Sequence, residues 1–283
     1  MKRIFYALVI MFCIISTVLS YCKKESQDTD SQDLTSVEES AIASEIISDT
    51  FTDMSSLSSA NDGLFSSVSG FQIMDAPDLI SNSCGEVSLS PLNNTWPKTL
   101  TVDFGDGCTF ENVTRKGKIM AVFTDRFKNP GAKITVTFEN FQVNDHKMSG
   151  TKIITNNGKN AAGNFNYSIK VSQSKLSSAD KVISFSSENN IEWVEGSGTR
   201  TPGDDVFSIT GSASGTNSKG TEFSVSIVKP LIKKVSCRFL VAGSTDIKSG
   251  TRPTRTLDYG SGDCDNKASV TVSGVTKEIT LRK

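Results

Sequence analysis

Residues 165–171 read FNYSIKV, with Phe165, Tyr167, Ile169 and Val171 alternating with Asn166, Ser168 and Lys170. A period of two is the mark of a strand with one buried and one wet face. The pattern recurs along the chain. Ile134, Val136 and Phe138 alternate with threonines, and Phe207 and Ile209 keep the same spacing. So do Phe223, Val225 and Ile227, then Val235, Cys237, Phe239 and Val241. Turn signals separate the runs: Asn129-Pro130-Gly131, Asn157-Gly158, Pro202-Gly203, Lys219-Gly220 and Ser273-Gly274. This predicts about a dozen strands with short connections. No helical segment of crossover length follows Cys84, so the strands pair antiparallel, as hairpins in a meander. A sheet of that size curls, closes or splits into two layers. The expected fold is all-β, either a sandwich or a curved, open, barrel-like sheet, preceded by one N-terminal helix.

That helix is expected from Ser36 to about Ser58. Ser36 and Glu39 have capping-box spacing, and Ala43, Ile47, Phe51 and Met54 recur at helical intervals with Ile42 and Ile46 alongside. Its apolar stripe is expected to pack on the β domain, with a partner-binding helix as the lesser alternative. Residues 61–82 carry Asp62-Gly63, Ser69-Gly70 and Ala76-Pro77, the chemistry of a linker.

Residues 98–108, KTLTVDFGDGC, run from a strand into a glycine turn that ends on Cys108. Residues 254–264, TRTLDYGSGDC, repeat the arrangement and end on Cys264. Cys84 lies 24 residues before Cys108, and Cys237 lies 27 before Cys264. In an exported chain such cysteines oxidise. Local pairing, Cys84–Cys108 and Cys237–Cys264, is the simplest of three connectivities and agrees with the repeat. Each bridge adds about 3–3.5 kcal/mol in the chain-entropy model. No CxxC spacing is present and His146 is the only histidine, which speaks against a metal–thiolate site.

The N-terminus reads as an export signal. Lys2 and Arg3 precede the apolar run 4–19, which falls short of the ~20 residues of a membrane span. Leu19-Ser20-Tyr21-Cys22 resembles the lipobox of bacterial lipoproteins, with Tyr21 in place of the usual small residue. Cleavage before Cys22 would expose it for lipidation, whereas ordinary cleavage after Ser20 is the alternative. Lipidating Cys22 leaves four cysteines in two local pairs, while a free Cys22 leaves an odd thiol. The organisation expected is therefore a signal peptide at 1–21 and a flexible tether at 22–35. A helix and linker follow at 36–83, then a single disulfide-stapled β domain at 84–283. The partner expected for Cys22 is the outer membrane, through its lipid; an envelope protein or polysaccharide is a further partner.

Charge adds little. Removing 1–21 takes away Lys2 and Arg3 and leaves 28 basic against 31 acidic residues, a net of −3, which gives no reason to expect nucleic acid. Residues 229–255 hold seven basic residues against Asp246, a strip suited to anionic lipid or polysaccharide, or else the wet face of edge strands. Asp103 and Asp106, Asp258, Asp263 and Asp265, and Asp204 with Asp205 are thin as calcium sites and read better as turn residues. Trp96 and Trp193 suit sugar stacking or, by default, core packing. His146, in Asn144-Asp145-His146-Lys147, is placed at a hairpin turn, a poor position for a general base. No GxSxG, HExxH, P-loop or dinucleotide motif is present. No catalytic residue, cofactor or metal ligand is assigned.

Residues 103–107, DFGDG, resemble the FGDG signature of PKD-type β-sandwich modules over about 35 residues, without their tryptophan or His-x-Tyr, and read as turn chemistry. Residues 96–143, WPKTLTVDFGDGC…VTRKGKI…NPGAKITVTFENFQV, and 255–281, RTLDYGSGDCDNKASVTVSGVTKEITL, resemble uncharacterised outer-membrane lipoproteins of Bacteroidetes-type bacteria. The resemblance implies an envelope address and transfers no activity. The functional expectation is a non-enzymatic binding or structural lipoprotein. The alternatives are a carrier of a lipid or other apolar ligand, and a glycan hydrolase without a recognisable motif.

Non-reducing peptide mapping is expected to link Cys84 to Cys108 and Cys237 to Cys264. Crossed pairing would defeat the two-unit reading. Loss of the first bridge in Cys108→Ser should lower stability by about 2 kcal/mol, the low end for a native disulfide, because the domain is large.

Overall fold

A computed structural model describes residues 33–60, 85–110, 112–179 and 181–281. Among them one α-helix, α1 (Thr35–Ala60), precedes fourteen strands. The first seven are β1 (Glu86–Ser90), β2 (Lys98–Asp103), β3 (Cys108–Phe110), β4 (Val113–Phe123), β5 (Lys133–Val143), β6 (His146–Lys159) and β7 (Phe165–Ser178). The rest are β8 (Lys181–Glu195), β9 (Val206–Thr216), β10 (Glu222–Lys234), β11 (Ala242–Ser249), β12 (Arg255–Ser261), β13 (Lys267–Val272) and β14 (Val275–Thr280). All join one antiparallel meander in the order β1-β2-β4-β5 and so on to β14, with β3 paired to β4 alone. The chain therefore makes a single sheet, the curved alternative rather than the two-layer sandwich.

The reason it curves is α1. Lys152 on β6 donates from Nζ to the Ile47 carbonyl at 2.6 Å, and Lys233 on β10 pairs with Asp49 at 3.1 Å. On a flat sheet β6 and β10 would lie four spacings apart, about 19 Å. Both nonetheless reach one turn of the helix, so the sheet wraps around it. The helix is about 39 Å long by its rise, comparable with the long strands β6–β8 at about 45–50 Å.

The expected apolar stripe is present: Ala43, Ile46, Ile47, Phe51, Met54 and Leu57 are buried. The packing extends beyond this stripe. Ser36, Glu39, Glu45, Ser48, Thr50, Ser55 and other polar residues of α1 are buried too, because sheet lies on several sides of the helix. The expected capping box is also redirected. The Ser36 hydroxyl meets the Ser249 hydroxyl at 2.9 Å and accepts from Asn217 Nδ2 at 2.8 Å. Glu39 accepts from the Ser218 N–H at 3.0 Å and from the Ser218 hydroxyl. Both residues tie the helix to the sheet.

Two other local expectations change. Asn157-Gly158 lies inside β6, and the hairpin turns at 160–163, where the Gly163 N–H donates to the Asn160 carbonyl at 2.9 Å. The Asn160 side chain takes the N–H groups of Ala162 and Asn164, which makes it the stronger turn former. Residues 235–241 are not a strand. Their alternation reflects a loop folded inward, with Cys237, Phe239, Leu240 and Val241 buried and the Leu240 N–H bound to Glu45 Oε1 at 2.8 Å.

The two cysteine units share a geometry. Asp103 Oδ1 accepts from the Gly105 N–H and Asp258 Oδ1 from the Gly260 N–H, both at 2.9 Å. Gly105 and Gly260 take φ of +54° and +93°, and the aromatic residues between, Phe104 and Tyr259, are buried. Cys237 and Cys264 are bridged, and Cys108 is disulfide-bonded; Cys84, its expected partner, lies outside the described residues. So do the signal, Cys22, most of the expected tether and the linker 61–82.

Phe51 anchors α1, with its ring 5.9 Å from Phe127, 5.5 Å from Tyr167 and 5.2 Å from Phe207. Phe51→Ala is expected to lower unfolding free energy by about 3–5 kcal/mol in denaturant titrations. Lys170→Ala, which breaks the solvent-exposed pair with Glu188, should leave the denaturation midpoint nearly unchanged.

Candidate functional site

The inward residues of β8 run Ile183, Phe185, Ser187, Asn189, Ile191 and Trp193, so two small polar residues interrupt a large apolar series. On β9 the neighbouring inward position is small as well, Ala213, and α1 presents Ser44 and Ser48 one turn apart. Small side chains on three facing elements leave a recess of about 480 Å³ of empty space, part of it continuous with solvent. The space open to water within it, about 40 Å³, exceeds the ~10–15 Å³ needed to hold a water. Apolar walls come from Ile47, Ile209, Val225, Ile227 and Leu231. The Ser187 hydroxyl is buried and has no hydrogen-bond partner among the described residues.

The recess sits where the sheet is interrupted. On the β9–β10 ladder Ser226 pairs with Ser212, and the next pair is Leu231 with Ile209. Ile227, Val228, Lys229 and Pro230 thus stand opposite Thr210 and Gly211 alone. Pro230 has no N–H to give a ladder. Next door on β11, Gly243 at φ +97° takes the close approach, since a Cβ there would lie 2.2 Å from the Pro230 carbonyl. The β8–β9 ladder stays continuous past this point, so the wall opens on the β10 side of β9.

Beyond the lining, the interior holds buried ionisable groups. Burial pulls the Lys152 ammonium down to about 7, against the Asp53 and Asp49 carboxylates that favour its charge. Lys233 is held by Asp49 and by the carbonyls of Cys237 and Arg238 at 3.0 and 2.9 Å. Toward one end of α1, Trp193 Nε1 donates to Asp205 Oδ1 at 3.1 Å; burial is the main cause that raises the Asp205 carboxyl to about 6. Burial likewise pushes the Tyr167 and Tyr259 hydroxyls up, with Asp205 and Glu45 adding to the shift.

The residues singled out from sequence are dispersed. Trp193 is in the core, and Trp96 is half-buried with Lys98 Nζ 5.6 Å from its ring. Asp103 and Asp258 cap their turns and pair with Lys118 at 2.8 Å and Lys229 at 3.5 Å. Asp204 accepts from Thr199 Oγ1 at 3.0 Å, and Asp265 from the Lys267 N–H at 2.9 Å. No group of three or more His, Cys, Asp or Glu side chains among the described residues suits a metal ion. His146 opens β6 beside the turn, and burial lowers its imidazole. The basic strip at 229–255 is not one surface: Lys233 and Arg255 point into the core, and Lys234 binds the Gly262 carbonyl at 2.9 Å. Nor is it an edge, because β10 and β11 are interior strands. Sequence reasoning missed Ser187 and Lys152. The signal for each was a polar residue in an inward period-two series.

No family model matches the chain, and neither a curated protein nor a solved structure does.

Lys152 gives a pH test. The unfolded chain keeps a lysine pKa near 10.4, so between about pH 7 and 10.4 the unfolded state holds a proton that the folded state lacks. Stability therefore rises with pH across that window. Denaturation midpoints of the unaltered chain should climb from pH 7 to pH 10 relative to those of Lys152→Met, by the equivalent of a few kcal/mol. Parallel pH profiles would show that Lys152 is not a buried, protonatable amine.

Proposed function

We propose that the protein is a cell-envelope lipoprotein whose β domain is a non-enzymatic binding module, held to the outer membrane by lipid on Cys22. The observation that carries this reading is how the buried carboxylates are used. Glu39 holds Ser218, Glu45 holds the Leu240 N–H, Asp49 holds Lys233 and Asp205 holds Trp193. Each fastens the helix or a loop in place, and the product is a preorganised scaffold. Rigidity of that kind lowers the ordering cost of binding. The hydrolase alternative needs a carboxylate pair facing a cleft, whereas these carboxylates are committed to structural partners. Among the described residues no helix is long and apolar enough to cross a membrane, and the proposed anchor is the acyl chains on Cys22. One acyl chain binds a bilayer marginally, and several bind it stably.

Mass spectrometry of the protein isolated from membranes is expected to show Cys22 as the first residue, carrying acyl chains. Cys22→Ala should shift the protein to the soluble fraction. An unmodified N-terminus at Tyr21, or unchanged membrane partitioning of Cys22→Ala, would sink the anchored reading.

A further inference from the structure

The recess between α1 and strands β8–β11 combines three features that arise separately: small side chains that leave space, a broken ladder that opens a way in, and a buried hydroxyl without a partner. The lining is uncharged throughout, with Ile47, Ile209, Val225, Ile227 and Leu231 as its apolar walls. A charged ligand would meet no counter-charge there and would lose its hydration. An apolar ligand gains from the walls, and one hydrogen-bonding group on it satisfies Ser187 Oγ, which is 4% exposed. Asn189, half-buried beside Ser187 on the same inward face of β8, supplies a second polar contact. The enclosed cavity is small, about 40 Å³ against the few hundred Å³ of a drug-sized pocket, so the occupant is slim and only partly enclosed. Ile227 of the lining begins the Ile227–Pro230 bulge, the interruption of the wall next to the recess.

We propose that this recess binds a slim, uncharged, largely apolar molecule with one hydrogen-bonding group, admitted between β9 and β10 at the Ile227–Pro230 bulge. The proposal rests on the binding-module reading and gives its ligand class. It does not depend on the anchor, so the two are tested apart.

The test uses the mature chain with Cys22→Ser, which removes the lipid and with it any acyl or detergent background. N-phenyl-1-naphthylamine, a neutral apolar fluorophore with one N–H, is expected to bind saturably with enhanced emission. 1-Dodecanol should displace it, and dodecanoate at pH 8 should do so at least about tenfold less well. Ala213→Trp, which places an indole in the recess from a half-buried position, should weaken probe binding by about tenfold or more. Ser187→Ala should weaken it by about 2- to 10-fold, the worth of one hydrogen bond. Ile227→Trp at the bulge gives a second obstructing variant should Ala213→Trp fail to fold, as judged by circular dichroism. Absence of saturable binding overturns the proposal, as do obstructing variants that fold and bind normally. Equal displacement by dodecanoate overturns the assignment of an uncharged ligand.

Discussion

A helix rich in serine and threonine is buried inside a sheet, and every polar atom it carries there needs a partner. Much of that demand is met locally. The hydroxyls of Ser40, Thr50, Thr52, Ser55 and Ser58 donate back to the carbonyls of Val37, Ile46, Asp49, Thr52 and Ser55 at 2.8–3.2 Å. Such back-bonding lets a hydroxyl sit in an apolar place without an outside acceptor. Most of the remaining demand, from carboxylates and from the Ile47 carbonyl, is met by β6, β10 and the loops at 217–218 and 237–240. Serine and threonine are weak helix formers, so α1 relies on its surroundings more than on propensity. The sheet in turn relies on α1 to fill its concave side, and Phe51 among Phe127, Tyr167 and Phe207 shows how directly.

The strands were legible because their outer faces are wet. On β7 the inward residues Tyr167, Ile169 and Val171 are buried while Ser168 and Lys170 are exposed, and that contrast is what period-two reasoning detects. The same reasoning misread 235–241, since a loop folded inward buries Cys237 and Phe239 with the spacing of a strand. It misread Asn157-Gly158 because a bulge and a turn ask for the same residues. The centre of the sheet hid from sequence for another reason. Helical periodicity reports the apolar stripe of α1, but a hydroxyl that bonds its own helix carries no sign of what packs against it. The recess depends on Ser44, Ser187 and Ala213 facing one another across three elements. Nothing in their local sequence brings them together.

The repeated Asp–aromatic–Gly units belong near the two ends of the sheet. One closes β2, second in the order, and the other lies in β12, third from the far end. In each, the aspartate caps a glycine N–H and pairs with a lysine, Lys118 on the neighbouring β4 in one and Lys229 two strands away on β10 in the other, while the aromatic residue points inward. A disulfide cysteine follows within a few residues, Cys108 in one and Cys264 in the other. Strands near an open end have fewer neighbours to hold them. A turn that fixes its own backbone, together with a covalent staple, supplies locally what the middle of the sheet obtains from α1.

Small side chains also create a problem of position. A helix faced with serines has few large knobs to lock into the sheet, and dispersion alone would let it slide or rotate at little loss. The charged contacts remove that freedom. Glu39, Glu45, the Ile47 carbonyl and Asp49 fall within three turns of α1, and their partners sit on different parts of the wall: Ser218, Leu240, Lys152 and Lys233. A slip of one residue would turn the helix by about 100° and strand all four at once. Burying a lysine as deep as Lys152 has a desolvation cost that an apolar residue would avoid. That cost sets a single height and rotation for α1, and this fixes Ser44 and Ser48 opposite Ser187 and Ala213. The recess is therefore a consequence of helix register: its shape is held by ionic and hydrogen-bonded contacts, and none of the charged side chains that make them lines it.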